Sequence, residues 1–421
     1  MNTQPDVLII GAGMAGLTCA ARLQEAGISC QLLEASDEVG GRVQSDTLDG
    51  FILDRGFQVF LSAYPEAKRW LNYKALDLKA FQPGAWSYFG GRFHTVSDPF
   101  QMPWTLLPSL LSPVGTLSDK LQVLKHRLRW MRLRAEGVAP AFSPATEDDW
   151  MPTHHWLDNS FSAEMIQHFW QPFLGGISLD GSLSAPQWLT RFTMAMMVQG
   201  QVMLPANGMK SIPEQLAARL PEGSICLNTV VSKLDIADRS VTLITDEIIR
   251  ARRGIIIATS LQERHRLVNK EAPLPEFYGT TCLYYAAKRP PLDEPVLVLN
   301  GAGYGVINSL CVPSLVSPAY APAGQSLVSV TVMGTPSDRS VINLDEQVRS
   351  QLSDWFGRQV NQWQTLRVYR IANALPRIST AWSDQTIAPG IYACGDYQAA
   401  PSLQGAMVSG RRCAEKLINQ S

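Results

Sequence analysis

The chain opens on an unbroken apolar run, Val7 to Ile10, between Asp6 and Gly11. A short run without polar alternation predicts a strand buried on both faces, the habit of a parallel sheet. Leu17, Ala20, Ala21 and Leu23 then recur at helical spacing up to Gly27, a natural C-terminal cap. Gln31-Leu32-Leu33 reads as a second strand. Far along the chain, residues 224–234, 240–245 and 253–259 carry strand patterns, and Ile391 to Cys394 carries another. Residues 71–204 read as helical, Pro-rich and aromatic, whereas 266–374 hold apolar runs parted by turns, at 281–287, 296–299 and 326–332. This order predicts an α/β protein with a discontinuous Rossmann-like domain from residues 1–70, 205–265 and 375–421. An α+β domain of mixed sheet and helices, from 71–204 and 266–374, is inserted in it.

The turn after the first strand is Gly11-Ala12-Gly13-Met14-Ala15-Gly16. The first Gly permits a tight turn, the second lets backbone approach a pyrophosphate, and the third lets the helix pack on the strand. The helix N-terminus offers N–H groups and partial positive charge to phosphates. Glu34 ends the second strand 18 residues past Gly16, where a ribose-binding carboxylate belongs, with Ala35 beside it. An acid there suits an unphosphorylated ribose and argues against NADP.

Gly40-Gly41-Arg42 follows closely. Near the other end stand Gly395-Asp396-Tyr397 and then Ser402-Leu-Gln404-Gly405-Ala406, with Asp396 at the tip of a strand and a helix starting near Gln404. These two motifs resemble the amine oxidase, phytoene desaturase and protoporphyrinogen oxidase superfamily of FAD-dependent flavoproteins. The resemblance implies one FAD, an oxidoreductase, and hydride transfer from carbon to flavin N5. It further implies that Asp396 accepts bonds from ribityl hydroxyls and that the helix at Gln404, Gly405 and Ala406 faces the flavin ring. Val231 would meet the adenine, and Gly56, Phe57 and Gln58 would pass beside the ring. The chain has Gln404 where the desaturase-like members usually have Glu. Three members of the superfamily compete: a carotenoid or isoprenoid desaturase-like dehydrogenase, favoured by Gly395-Asp396-Tyr397, a flavin amine oxidase, and a protoporphyrinogen oxidase-like enzyme. Lys288 lies near the region where amine oxidases place a Lys against flavin N5. Phe169 to Ile177 resembles a cavity-lining segment of that superfamily. Trp170 and Phe173 are therefore pocket candidates, although core packing accounts for them as well. Tyr284, Tyr285, Arg377 and Tyr397 are weaker candidates.

Composition bounds the remainder. The 421 residues are 46% hydrophobic and carry a net charge of -1, which gives no reason to expect nucleic acid. Seven scattered Cys contain no C-x-x-C pair, so a redox disulfide is not expected. His154-His155 has no acid or Cys at metal-ligand spacing and reads as a surface pair. Gly301-Ala-Gly303-Tyr-Gly305 reads as a hairpin turn, leaving no second dinucleotide motif. Electrons are therefore expected to leave for an external acceptor, oxygen or quinone. Met1 to Pro5 reads as too short and polar for a signal peptide, so a cytoplasmic location is expected.

One stretch points toward a surface. Residues 99–118 carry no charge and are broken by Pro103, Pro108 and Pro113, which argues against a spanning helix. Residues 120–134 follow with Leu121, Leu124, Leu128 and Met131 on one helical face and Lys120, Lys125, Arg127, Arg129, Arg132 and Arg134 around the rest. An ordinary helix with a solvated basic face is the plainer reading. A peripheral contact of 99–134 with an anionic membrane is the other.

Overall fold

The computed structural model describes residues 4–98, 100–133, 150–268, 276–336, 341–377 and 385–420. Strand β1 (Val7–Ile10), helix α1 (Met14–Glu25) and strand β2 (Cys30–Leu33) form the predicted βαβ start. β1 lies between β2 and the strand Gly254–Ile257, parallel to both. The sheet continues outward through Ile391–Ala393 to an antiparallel edge, Thr386–Ala388, and on the other side of β2 to Ile225–Cys226. Val7 and Ile9 enter one apolar cluster, Leu8 and Ile10 another. The run is buried on both faces, as its lack of alternation predicts, and each such side chain contributes about 1.5–3 kcal/mol.

The chain returns to this sheet from three distant segments, and the helix Leu403–Ile418 closes it against α1. The crossing is close. A Cβ at Gly410 would lie 2.1 Å from the Ala15 carbonyl oxygen, so backbone meets backbone there.

A seven-stranded sheet stands apart. Its order is Gln364–Pro376, Phe277–Ala287, Ser326–Met333, Ile307–Cys311, Leu297–Asn300, Ala85–Phe89 and Arg92–Val96. Every pairing is antiparallel except that of Leu297–Asn300 with Ala85–Phe89. Two expectations are corrected. Residues 85–96, within the segment read as helical, are a hairpin turned by Gly90 and Gly91 at φ +58° and +76°. A Gly-Gly pair between apolar runs is itself a hairpin signal. Residues 224–234 are not one strand. Asn228 takes φ +53°, separating Ile225–Cys226 from Val231–Asp235. Asn tolerates that left-handed conformation. The Gly301–Gly305 stretch is the expected hairpin turn, tied by Asn300 Nδ2 donating to the Tyr304 and Ile307 carbonyls at 2.7 Å each.

Candidate functional site

The site begins at the turn after β1. Gly11 has φ +101°, and a Cβ there would press on the Ala258 carbonyl at 2.9 Å. A Cβ on Gly16 would come within 2.1 Å of the Gly11 carbonyl oxygen, so this position fixes the helix against the turn. A Cβ on Gly13 would meet nothing within 4 Å. Gly13 also forms the N-cap of α1 and receives no side-chain cap. Ala12 to Gly16 therefore present a helix N-terminus to open space on the Gly13 side, which is what a pyrophosphate needs. Glu34 lies beside it, with Oε2 accepting from the Ala12 N–H at 2.7 Å and Oε1 from the Ser36 N–H at 3.0 Å. Asn228 and Thr229 donate backbone N–H groups to the Ser36 and Glu34 carbonyls at 2.9 and 2.7 Å, which brings Val231 and its neighbours over the Glu34 loop. Ala35 is exposed on that loop.

The second Gly loop runs along the first. Gly40 N–H donates to the Ala12 carbonyl at 2.9 Å, and a Cβ on Gly41 would lie 3.5 Å from the Gly13 Cα. Arg42 then reaches across the molecule. Its Nη2 donates to Asp396 Oδ1 at 2.6 Å and its Nη1 to the Ala374 carbonyl at 2.8 Å. Asp396 is 5% exposed, and its charge holds the Arg42 guanidinium firmly protonated. The Gln58 amide donates to the Arg42 carbonyl at 2.9 Å and fixes the loop after Gly56. Gly56, at φ +88°, sits where a Cβ would strike Ile371. Ser402 caps the closing helix by accepting from Gly405 N–H at 3.0 Å. A Cβ at Gly405 would collide with the Ala400 carbonyl oxygen at 2.0 Å.

A narrow cleft, part of it open to solvent, adjoins this seam. Leu174, Ile177 and Ser178 form one wall, and Ala185, Pro186, Leu189, Thr190 and Thr193 another. Tyr278, Leu375 and Pro376 close the third side, with Pro401 at the end that leads into the Ser402 cap. Leu375 and Pro376 directly follow Ala374, the carbonyl that Arg42 holds. Among the described residues, none that lines it is charged. The nearby Asp180 is not among the lining residues and stands behind Tyr278. Burial pushes its carboxyl up, but bonds from Ser182 and Ser184 outweigh this and hold it below the usual range. Tyr278 donates its hydroxyl to Asp180 Oδ2 at 3.2 Å, and burial keeps that phenol protonated.

The profile of the family described as "Flavin containing amine oxidoreductase" matches residues 14–418. The chain belongs to this flavin containing amine oxidoreductase family. The family is one of flavin-containing oxidoreductases, and the dinucleotide this implies is FAD. Among curated relatives, Protoporphyrinogen oxidase 2 of Arabidopsis thaliana is 25% identical over 41% of this chain and 32% of its own length. Putrescine oxidase of Kocuria rosea is 26% identical over 64% of this chain and 59% of its own. The 15-cis-phytoene desaturase of an Oncidium hybrid cultivar is 30% identical over 35% and 27%. The chain thus spans about a third to three-fifths of the first two. A solved oxidoreductase from Methanosarcina mazei shares the fold, with TM-score 0.74 at 18% identity over 97% of this chain and 99% of that one.

Three features fit a flavin dinucleotide: an uncapped helix end open at Gly13, a carboxylate at Glu34, and the Arg42–Asp396 pair where both chain ends meet. Several side chains that the flavoprotein resemblance singled out stand elsewhere, however. Trp170 is 1% exposed and packs between Trp156, Phe161 and Phe169, so core packing accounts for it. Phe173 stacks on Phe169 at 5.2 Å and lies outside the cleft lining. Tyr284 is buried, with its hydroxyl donating to the Asp54 carbonyl at 2.8 Å. Tyr285 points the other way along the strand, to Asp345 at 2.8 Å. The Tyr397 hydroxyl turns back to the Cys394 carbonyl at 3.1 Å, under Arg264. The Phe57 ring packs edge-on against Phe81. Gln404 is 1% exposed, and its Oε1 accepts from the Glu66 N–H at 3.0 Å, so its side chain serves a neighbouring helix start. Arg377 pairs with Glu276 at the surface. Lys288 is exposed at the far end of the strand that begins beside Tyr278, ten residues or about 33 Å away by strand rise. Tyr278, which does line the cleft, was missed. Its signal is its register opposite Leu375, just ahead of the closing motif.

Proposed function

We propose that this protein dehydrogenates an apolar organic substrate, of polyene or isoprenoid type, in the cleft beside Arg42 and Asp396. The observation that carries this reading is the cleft lining, which is aliphatic apart from the hydroxyls of Ser178, Thr190, Thr193 and Tyr278. An apolar chain loses no hydrogen bonds on entering such a space, whereas an ammonium would meet no carboxylate in the described lining itself, the Asp180 carboxylate standing behind Tyr278. The residues that would hold FAD are Gly11 to Gly16 and Gly41 at the pyrophosphate, Glu34 and Ala35 at the ribose, and Val231 at the adenine. Arg42, Gly56, the backbone of Phe57, Gly395, Asp396, Gly405 and Ala406 would surround the flavin end. Bound FAD supplies the acceptor for a hydride leaving carbon. The chain's own part is to orient the C–H bond between the Leu189 and Leu375 walls and to exclude water from it. An external acceptor, oxygen or quinone, then takes the electrons. The similarity to a phytoene desaturase supports this substrate class.

The longer alignment with a putrescine oxidase favours a second reading, a flavin amine oxidase. Anaerobic mixing separates the two. The flavin absorbance should bleach with isoprenoid polyenes and stay with polyamines or aromatic amines. Bleaching by amines alone would establish the second reading.

A further inference from the structure

The segment from residue 100 to 132 wears its amphipathicity inside out. In the helix Leu117–Arg132 the buried side chains are Asp119, Arg127 and Trp130. Asp119 is fully engaged, accepting from Thr116 N–H and Ser162 Oγ at 2.7 Å each and from Ser162 N–H at 2.7 Å. Arg127 donates to Asp98 at 2.9 Å and lies 4.1 Å from the centre of the Phe100 ring. Trp130 and Val123 pack inward beside these satisfied polar groups, and the helix turns its other large apolar side chains out. Leu117, Leu121, Leu128 and Met131 are 66%, 67%, 41% and 51% exposed, and just before them Leu107 and Leu111 are 65% and 75% exposed. With Phe100, seven of the thirteen exposed large apolar side chains among the described residues fall in these 33 positions.

The exposed charge of residues 100–133 has one sign. Lys125, Arg129 and Arg132 are exposed beside the leucines, and a surface depression is lined by Leu121, Leu124, Lys125, Leu128, Arg129 and Arg132. The sole carboxylate of residues 100–133 is the buried Asp119. A face of this kind is unfavourable in water. It is also poor as a protein interface, whose core is depleted of charge. It matches a bilayer boundary, where leucines reach the acyl region while ammonium and guanidinium groups stay at the phosphates. No helix among the described residues is long and apolar enough to cross a membrane. We infer that residues 100–132 dock this protein flat on an anionic phospholipid surface.

The docked face backs onto the cleft. Gln199 donates its amide to the Trp130 and Leu133 carbonyls at 2.7 and 2.6 Å, and the helix it ends, Gln187–Gln199, gives Leu189, Thr190 and Thr193 to the cleft wall. Delivery of a lipid-dissolved substrate through this wall rests on the proposed function, but the docking itself does not.

Flotation of the FAD-loaded full chain tests it. Vesicles are pure phosphatidylcholine or the same lipid with a third phosphatidylglycerol. The protein should float with the anionic vesicles alone and be released by high salt. Reversal of Lys125, Arg129 and Arg132 to Glu should weaken partitioning on the order of a hundredfold. Leu121→Ser with Leu128→Ser should abolish flotation, while flavin absorbance stays unchanged in both variants. Wild type remaining at the bottom with anionic vesicles overturns the proposal, as does a charge-reversed variant that floats equally well. A dimer in sedimentation velocity that the Leu→Ser pair dissolves, without flotation, overturns it too and assigns the face to a second copy. Substrate bleaching in lipid-free solution reads the function separately.

Discussion

At Asp54 a carboxyl group lies wholly inside the protein, 4% exposed, accepting from Ser45 Oγ at 2.5 Å, Met209 N–H at 2.9 Å and Tyr320 at 2.9 Å. Burial raises it to about 6, with those three bonds pulling the other way. An acid raised on folding stabilises the fold below its unfolded value, about 3.9, and that stability is lost as pH rises through 6. The loss is about 3 kcal/mol. Asp54→Asn should therefore flatten the thermal-unfolding profile between pH 4 and 8, and equal slopes in both proteins would refute this. Glu34 makes a different prediction. Its two oxygens already accept backbone N–H groups, with lone pairs left for a ribose. Glu34→Gln should weaken FAD by about 1–3 kcal/mol, read by flavin fluorescence titration. Unchanged affinity would mean that Glu34 faces away from the ribose.

Among the elements, the crossing of α1 with Leu403–Ile418 joins the two ends of the chain at the cofactor turn. Cys19, Cys394 and Cys413 meet beneath it as buried thiols, and burial pushes Cys19 and Cys413 well up, so they stay protonated. Gly410 sets the spacing of this crossing. Gly410→Ala must part the helices and should cost about 1–3 kcal/mol, seen as a lower Tm with or without FAD. An unchanged Tm would show that the crossing can give. The first helix was legible from its apolar spacing and from Gly27, and the closing helix from the motif around Gln404, while its Ser402 cap came only from the structure. The hairpin at 85–96 carried a local signal in Gly90-Gly91 that the helical reading of the segment passed over, whereas the break at Asn228 was hidden, because it depends on a positive φ inside a run that composition assigns to one strand.

For the molecule as a whole, Arg42 and Asp396 are 354 residues apart in sequence and 2.6 Å apart in space. The cofactor seam is thus a closure between chain ends. Asp396→Ala should release most bound FAD while the protein stays soluble, measured by flavin absorbance after gel filtration. It should also erase the stabilisation that added FAD gives the wild type, about 2.7 kcal/mol at a hundredfold excess over Kd. Full retention of flavin would remove Asp396 from the site.

The sequence alone determined the cofactor class, because a phosphate-binding turn is local: glycines, a strand and a helix start within a few residues, with an acid at fixed distance. It likewise placed the closing motif, whose strand and helix are contiguous. The side chains that line the cleft were decided by tertiary structure. Tyr278, Leu375 and Pro401 come from three segments that only strand register and the Arg42 bridge bring together. The outward turn of Leu121 and Leu128 was likewise invisible in the helical pattern. Periodicity reports that a face is apolar, while the Arg127–Asp98 pair and the engaged Asp119 decide which face points inward.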